Sequence, residues 1–62
     1  MNLTYDDVME LLEDLKTNDK EFNIVRNKNY LVLKFPLDEK LDEFNLDVKE
    51  TEDCKRVKIS VN

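Results

Sequence analysis

The stretch FNIVRNKNYLVLKF, residues 22–35, decides the fold of this chain. Apolar side chains recur at every second position on both sides of a polar run at residues 26–29. A period of two is typical of a β-strand with one buried face, and a short polar run between two such strands is typical of a tight turn. The stretch therefore predicts a β-hairpin.

The register of this hairpin depends on where its turn lies. A two-residue turn at Asn27-Lys28 suits the positive φ that Asn tolerates, although Lys28 suits it less well. That turn predicts two pairs, Ile24 with Leu31 and Phe22 with Leu33. A longer loop with Asn29 in the left-handed conformation is the alternative.

The hairpin also predicts an interface patch on the side turned away from the main core. Val25, Tyr30 and Val32 share that side, with Asn23 and Lys34 beside them. An exposed apolar patch confined to one hairpin is typical of an interface, and a homodimer through the sheet is its simplest form. The alternative is that the connector or a terminus covers the patch.

A helix precedes the hairpin. Thr4 is placed to cap it, Asp7 three residues later resembles the second half of a capping box, and Asn18 suits a left-handed ending. Helical spacing puts the apolar residues in one arc: Tyr5, Val8, Met9, Leu11, Leu12 and Leu15.

The opposite arc of the helix is acidic throughout, and we call it the acidic helix face: Asp6, Asp7, Glu10, Glu13 and Asp14. Like charges three and four residues apart each cost a few tenths of a kcal/mol of helix stability. The face therefore suggests a surface that recognises a basic partner, including one that imitates the phosphate row of a nucleic acid. The alternative is that it only keeps the protein soluble.

A second hairpin is predicted near the C-terminus, with a turn at Glu52-Asp53. Three apolar pairs follow, Val48 with Val57, Leu46 with Ile59 and Phe44 with Val61, and Asp47 lies opposite Lys58. Residues 37–44 between the hairpins have helical spacing but also the charge of a loop, so both interpretations stay open.

These elements predict a single α+β domain over residues 1–62. Its N-terminal helix packs on one face of a mostly antiparallel sheet of about four strands, in the order helix, hairpin, connector, hairpin. A chain of this size buries only about 60% of its unfolded surface, so self-association would add useful stability.

The net charge of −5 is unevenly distributed. Residues 1–21 hold seven acids and two lysines, and residues 38–53 hold eight acids and two lysines. Residues 22–37 and 54–62 each hold three basic residues and no acid. The acidic total argues against direct nucleic-acid binding, which needs a positive surface.

Little in the sequence points to catalysis. There is no His for acid–base chemistry, no Gly for a phosphate-binding loop, and Cys54 is the only thiol. No disulfide within the chain, structural zinc site or cofactor site is therefore expected. A metal-dependent enzyme is a further alternative, since paired carboxylates can hold a cation. The candidate pairs are Asp6/Asp7, Asp38/Glu39 and Asp42/Glu43.

The sequence also bears on the location and origin of the protein. No signal peptide or membrane segment is apparent, and a lone thiol suits a reducing, cytoplasmic setting. The absence of Gly and Ala favours an AT-rich bacterial or phage genome. We therefore expect a small, acidic, non-enzymatic protein-binding module or inhibitor, encoded by a phage or mobile element. The alternative function is a self-assembling structural subunit without a foreign partner.

Overall fold

The computed structural model describes residues 1–62 and confirms an α+β fold with an N-terminal helix. The sheet has five strands rather than about four. In chain order the elements are β1 (Asn2–Leu3), α1 (Tyr5–Thr17), β2 (Asn23–Arg26), β3 (Tyr30–Phe35), β4 (Val48–Glu50) and β5 (Lys55–Val61).

The sheet is built around β5, the longest strand. β3 pairs antiparallel with β5 along one edge, and β2 follows β3 as the outermost strand. The other edge of β5 is shared by two short strands: β4 pairs antiparallel with residues 55–57, and β1 pairs parallel with residues 60 and 61. The sheet is therefore mixed, although most of its ladders are antiparallel.

The helix begins where its cap residue predicts. Thr4 is extended, and its Oγ1 accepts a hydrogen bond of 3.2 Å from the backbone N–H of Asp7. At the other end Asn18 is the C-cap residue, but its φ of −91° is not left-handed. Asp19 takes that conformation instead, with φ of 56°, which corrects the prediction by one residue.

The core lies between α1 and one face of the sheet. Only seven of the 62 residues are buried, and they form one cluster: Val8, Leu15, Leu33, Phe35, Leu41, Val57 and Ile59. Of the other residues in the predicted apolar arc, Leu11 and Leu12 pack against this cluster while partly buried. Tyr5 and Met9 lie at the flank of the arc and stay exposed. The hydrophobic core is therefore thin.

The first hairpin forms, but the predicted register is wrong. Ile24 pairs with Leu33 rather than with Leu31, and Phe22 precedes the strand instead of pairing within it. The loop is Lys28-Asn29, closed by a backbone hydrogen bond of 2.8 Å from Asn27 to Tyr30. The side-chain amide of Asn27 donates to the hydroxyl of Tyr30 at 2.9 Å, which braces this closure. A shift of two pairing positions keeps every side chain on its predicted face.

The second hairpin is shorter than predicted. Val48 pairs with Val57 around the Glu52-Asp53 turn as expected. The pairs of Leu46 with Ile59, Phe44 with Val61 and Asp47 with Lys58 do not form, because β4 begins only at Val48. β1 takes the place of the missing part along β5. Residues 37–44 form turns rather than a helix, and Leu41 among them is buried.

Candidate binding surfaces

The acidic helix face is fully presented to solvent. All five of its residues are exposed, and none of their carboxylates accepts a hydrogen bond or joins an ion pair within the chain. The one ion pair of the molecule joins Lys20 and Glu39, away from this face. Because like charges recur here at helical spacing, the fold leaves their mutual repulsion uncompensated.

A groove of about 630 Å³ runs beside this face, between α1, the first hairpin and the C-terminal end of β5, and eight of its fourteen lining residues are apolar. Tyr5, Met9 and Ile24 line it while remaining 66%, 52% and 44% exposed. The groove stays open because β2 is the edge strand and α1 packs over the centre of the sheet. Arg26 and Lys28 line its hairpin side.

The groove and the acidic helix face are continuous. Asp6 and Glu13 lie three residues before and four residues after Met9, so they are its neighbours on the helix surface. Helical spacing alone did not reveal the groove, since it assigns Tyr5 and Met9 to the core. Their positions at the edge of the apolar arc, next to acids, are the only signal in the sequence.

The second surface is the side of the sheet turned away from α1, and we call it the outer sheet face. Val25 and Val32 form a direct pair there, and Tyr30 lies two residues along β3 from Val32. Val25 is 44% exposed, whereas Tyr30 and Val32 are half-buried. The structure thus brings together the three residues of the predicted interface patch.

Basic residues surround this patch. Arg56 of β5 pairs with Lys34 of β3 on one side and with Lys49 of β4 on the other, which makes a row across three strands. Lys58 lies beside Val32, and its Nζ is 4.3 Å from the centre of the Tyr30 ring. No acidic residue occupies an outward-facing position of these strands. The sequence did not reveal this row, because strand order was needed to put β3 beside β5.

The best-connected carboxylate belongs to the connector rather than to either surface. Glu39 accepts the backbone N–H of Glu21 at 3.2 Å and pairs with Lys20 at 3.4 Å. The hydrogen bond from Glu21, followed by the interactions with Lys20, holds the pKa of Glu39 below its ordinary value. The amine of Lys55 donates to the Glu39 carbonyl at 2.7 Å, which ties the connector to β5. Glu39 is therefore a structural anchor.

The other chemically interesting groups are dispersed. Cys54 is half-buried at the end of the second turn, where the Thr51 hydroxyl donates to its carbonyl oxygen at 3.0 Å. No three Cys, Asp or Glu side chains gather into a group that could hold a metal ion. The carboxylate pairs noted above are neighbours in sequence and mostly exposed, with Glu39 the partly buried member. The single helix is too short and too polar to cross a membrane.

Comparison of the chain with models of protein families, with curated proteins and with solved structures finds no match.

Proposed function

We propose that this protein is a small non-enzymatic protein-binding module, which acts by occupying a basic surface of its partner. The acidic helix face makes the electrostatic contact, and the adjoining groove receives an apolar side chain of the partner. The observation that carries this proposal is the juxtaposition of five unpaired carboxylates with the exposed Tyr5 and Met9.

The combination matches what a protein interface needs. Charges around an interface speed association and select the partner, but affinity comes mainly from apolar anchors that become buried. Tyr5 and Met9 suit that purpose, since both are large and Met adapts to irregular partners. Acidic side chains alone could serve only to keep the protein soluble. Two exposed apolar side chains beside them do not serve solubility, so they favour a binding role.

An inhibitor that imitates a nucleic acid is the sharper form of this proposal. The carboxylates of Asp6, Glu10 and Asp14 follow one another at about 6 Å along the helix axis, since each residue rises about 1.5 Å. A regular row of negative charge fits a groove that normally holds phosphates. Competition between this protein and DNA for a bound partner would support this form.

Selection from a random peptide library against the immobilised protein tests the proposal. We expect cationic, amphipathic peptides to be enriched. Reversing three acids together, Glu10→Lys, Glu13→Lys and Asp14→Lys, should weaken their binding at least tenfold, and Met9→Ser should weaken it further. NMR shift changes on peptide addition should cluster at Tyr5, Met9 and Ile24.

A matched control separates the effect of the acidic helix face from the effect of net charge. Asp47→Lys, Glu52→Lys and Asp53→Lys change the net charge equally but lie at exposed positions in and beside the second hairpin. These substitutions should leave peptide binding almost unchanged. Equal loss of binding in both triple variants, or enrichment of peptides without positive charge, would overturn the proposal.

A further inference from the structure

The outer sheet face has an arrangement of charge that the fold itself does not require. Lys34, Arg56 and Lys49 are direct cross-strand neighbours on three adjacent strands. Like charges directly opposite one another destabilise a sheet. No acid of the outward-facing strand positions offsets the repulsion, and these three side chains make no ion pair within the chain. The row is therefore unbalanced in the isolated molecule, as the acidic helix face is.

The two unbalanced surfaces lie on opposite sides of a thin molecule. Alternate residues of β3 and β5 point toward α1 and are buried, so Lys34, Arg56 and Lys58 point the other way. The smallest dimension of the chain is 17 Å, with the helix forming one layer and the sheet the other. Each copy thus presents an acidic front and a basic back, joined through a shared core.

The dimensions of the two surfaces match. From Asp6 to Asp14 the acidic helix face extends about 12 Å, at about 1.5 Å per residue. From Lys34 across Arg56 to Lys49 the basic row extends about 10 Å, because neighbouring strands lie about 4.8 Å apart. Apolar side chains flank both rows, Tyr5 and Met9 on the helix and Val25 and Val32 on the sheet.

We infer that the outer sheet face binds the acidic helix face of a second copy of this chain. This inference rests on the proposed function in treating the acidic helix face as a binding surface, and it names one basic partner for it. A two-fold dimer through the outer sheet faces would bring basic rows together, and one through the helices would bring acids together. Only front-to-back contact pairs opposite charges.

Front-to-back contact is heterologous, and it leaves a free acidic face at one end and a free basic face at the other. Such contacts continue into open chains unless the rotation between copies closes a ring. The mass of the assembly should therefore rise beyond that of a dimer as the concentration increases. Because the contact is largely ionic, it should weaken as salt is added.

Charge exchange between the two surfaces tests the inference by sedimentation at low ionic strength. We expect the mean mass of the wild-type protein to at least double at high micromolar concentration. A helix variant carries Glu10→Lys, Glu13→Lys and Asp14→Lys, and a sheet variant carries Lys34→Glu, Lys49→Glu and Arg56→Glu. Each should sediment as a monomer, and an equal mixture of the two should regain the assembly.

The controls separate this contact from other causes of a change in assembly. The Asp47→Lys, Glu52→Lys, Asp53→Lys variant should assemble like the wild type, and circular dichroism should show that every variant is folded. A small proportion of the sheet variant should shorten wild-type chains, because it has an intact acidic helix face and a blocked basic one. A variant that fails to fold is replaced by its single substitutions, with weaker effects of the same sign expected.

Several outcomes would overturn the inference. A wild-type protein that stays monomeric, or folded variants whose mixture stays monomeric, would exclude the contact. So would binding of a single-stranded DNA oligonucleotide by a monomeric protein, lost in the sheet variant, which would assign the outer sheet face to nucleic acid. Peptides can still be selected on the acidic helix face in these cases. Failure of the inference is therefore distinguishable from failure of the proposed function.

Discussion

Glu39 shows how much of this small fold depends on one residue outside the regular elements. Its carboxylate accepts a hydrogen bond from the backbone N–H of Glu21 and pairs with Lys20, just before β2. Its carbonyl oxygen accepts a hydrogen bond from the amine of Lys55. Three segments distant in sequence therefore meet at a connector that contains no helix or strand. The contacts made by its side chain are strongest while the carboxylate is charged.

The depressed pKa of Glu39 gives its contribution a definite pH dependence. Because the folded-state pKa lies below the ordinary value, the stabilisation is present above the unfolded-state pKa and is lost as pH falls through the folded-state pKa. Glu39→Gln should therefore lower the free energy of unfolding at neutral pH, and the difference from wild type should vanish in acid. Urea unfolding at both pH values measures this, with NMR titration of the Glu39 carboxyl as a direct check.

The control for this prediction is Glu43→Gln, in the same connector. Glu43 is exposed and makes no hydrogen bond or ion pair, so its substitution should change stability little at either pH. A difference between Glu39→Gln and wild type that persists in acid would show that charge is not what Glu39 contributes.

Asp19 shows how a chain without glycine ends a helix. Its N–H donates to the Lys16 carbonyl, and the N–H of Lys20 donates to the Leu15 carbonyl, which is the hydrogen-bond pattern of a Schellman ending. The left-handed position in that motif is usually glycine, and Asp is among the few other residues that tolerate it. The sequence favours Asn18 for this position, but Asp tolerates the left-handed conformation as well. Only the hydrogen bonds show that Asp19 occupies it.

At the scale of elements, the difference between β2 and β5 is the clearest feature. β5 is paired on both edges and contributes Val57 and Ile59 to the core, each fully buried. β2 is paired on one edge only, and all four of its residues are exposed. Stability should therefore be concentrated at the centre of the sheet, with the β2 edge available for contacts.

Two isoleucines test this difference with the same chemical change. Ile59→Ala should lower the free energy of unfolding by about 3 kcal/mol, because it leaves a cavity in a filled core. Ile24→Ala, at a side chain that is 44% exposed, should cost about 1 kcal/mol or less. Urea unfolding of both variants measures the contrast.

The outcomes of this comparison are easily separated. Loss of folding in Ile59→Ala would satisfy the expectation, since the whole domain is stable by only a few kcal/mol. Equal costs at the two positions would contradict the described burial. If cationic peptides bind the groove as proposed, Ile24→Ala should also weaken their binding, whereas Ile59→Ala, if folded, should not.

The elements could be predicted from sequence wherever a periodic pattern was long. The N-cap and extent of α1, the faces of both hairpins and the Glu52-Asp53 turn follow from local chemistry, whereas the left-handed residue that ends α1 does not. The register of the first hairpin does not, because Asn27, Lys28 and Asn29 offer competing turns and no glycine selects one. The apolar alternation of Phe44 and Leu46 predicts strand pairing, but Asn2 and Leu3 of β1 occupy that edge of β5 instead.

The two candidate binding surfaces could be predicted from the sequence to different degrees. The acidic helix face depends only on helical periodicity, so its geometry follows from sequence. The patch at Val25, Tyr30 and Val32 depends only on the alternation of one hairpin. The row of Lys34, Arg56 and Lys49 depends on strand order, and the exposure of Tyr5 and Met9 depends on where the helix lies over the sheet. Both are tertiary properties that no local pattern contains.

The whole molecule combines a thin core with charge separated onto two opposite faces. Repulsion within the acidic helix face and within the basic row opposes folding of the single copy, because the acids and bases of these faces are not paired with each other. The same charges attract between copies when front meets back. Folding and assembly should therefore respond to added salt in opposite directions.

Raising NaCl from about 20 mM to about 500 mM shortens the Debye length from roughly 20 Å to roughly 4 Å. We expect the midpoint of thermal unfolding to rise by a few degrees in dilute protein, because repulsion within each face is screened. Over the same range the mean mass measured by sedimentation in concentrated protein should fall to that of a monomer. Sodium sulfate would confuse the comparison, because it strengthens apolar burial in addition to screening charge.

The sign of each response distinguishes repulsion within one face from attraction between the faces. In the helix variant, where Glu10, Glu13 and Asp14 become Lys, the remaining acids Asp6 and Asp7 gain attractive neighbours on α1. Salt should then stabilise the fold less than it does in the wild type, or even destabilise it. A wild-type protein whose stability falls with salt would mean that attraction between charges dominates within one copy. The two faces would then be balanced internally, and neither would be left free to bind.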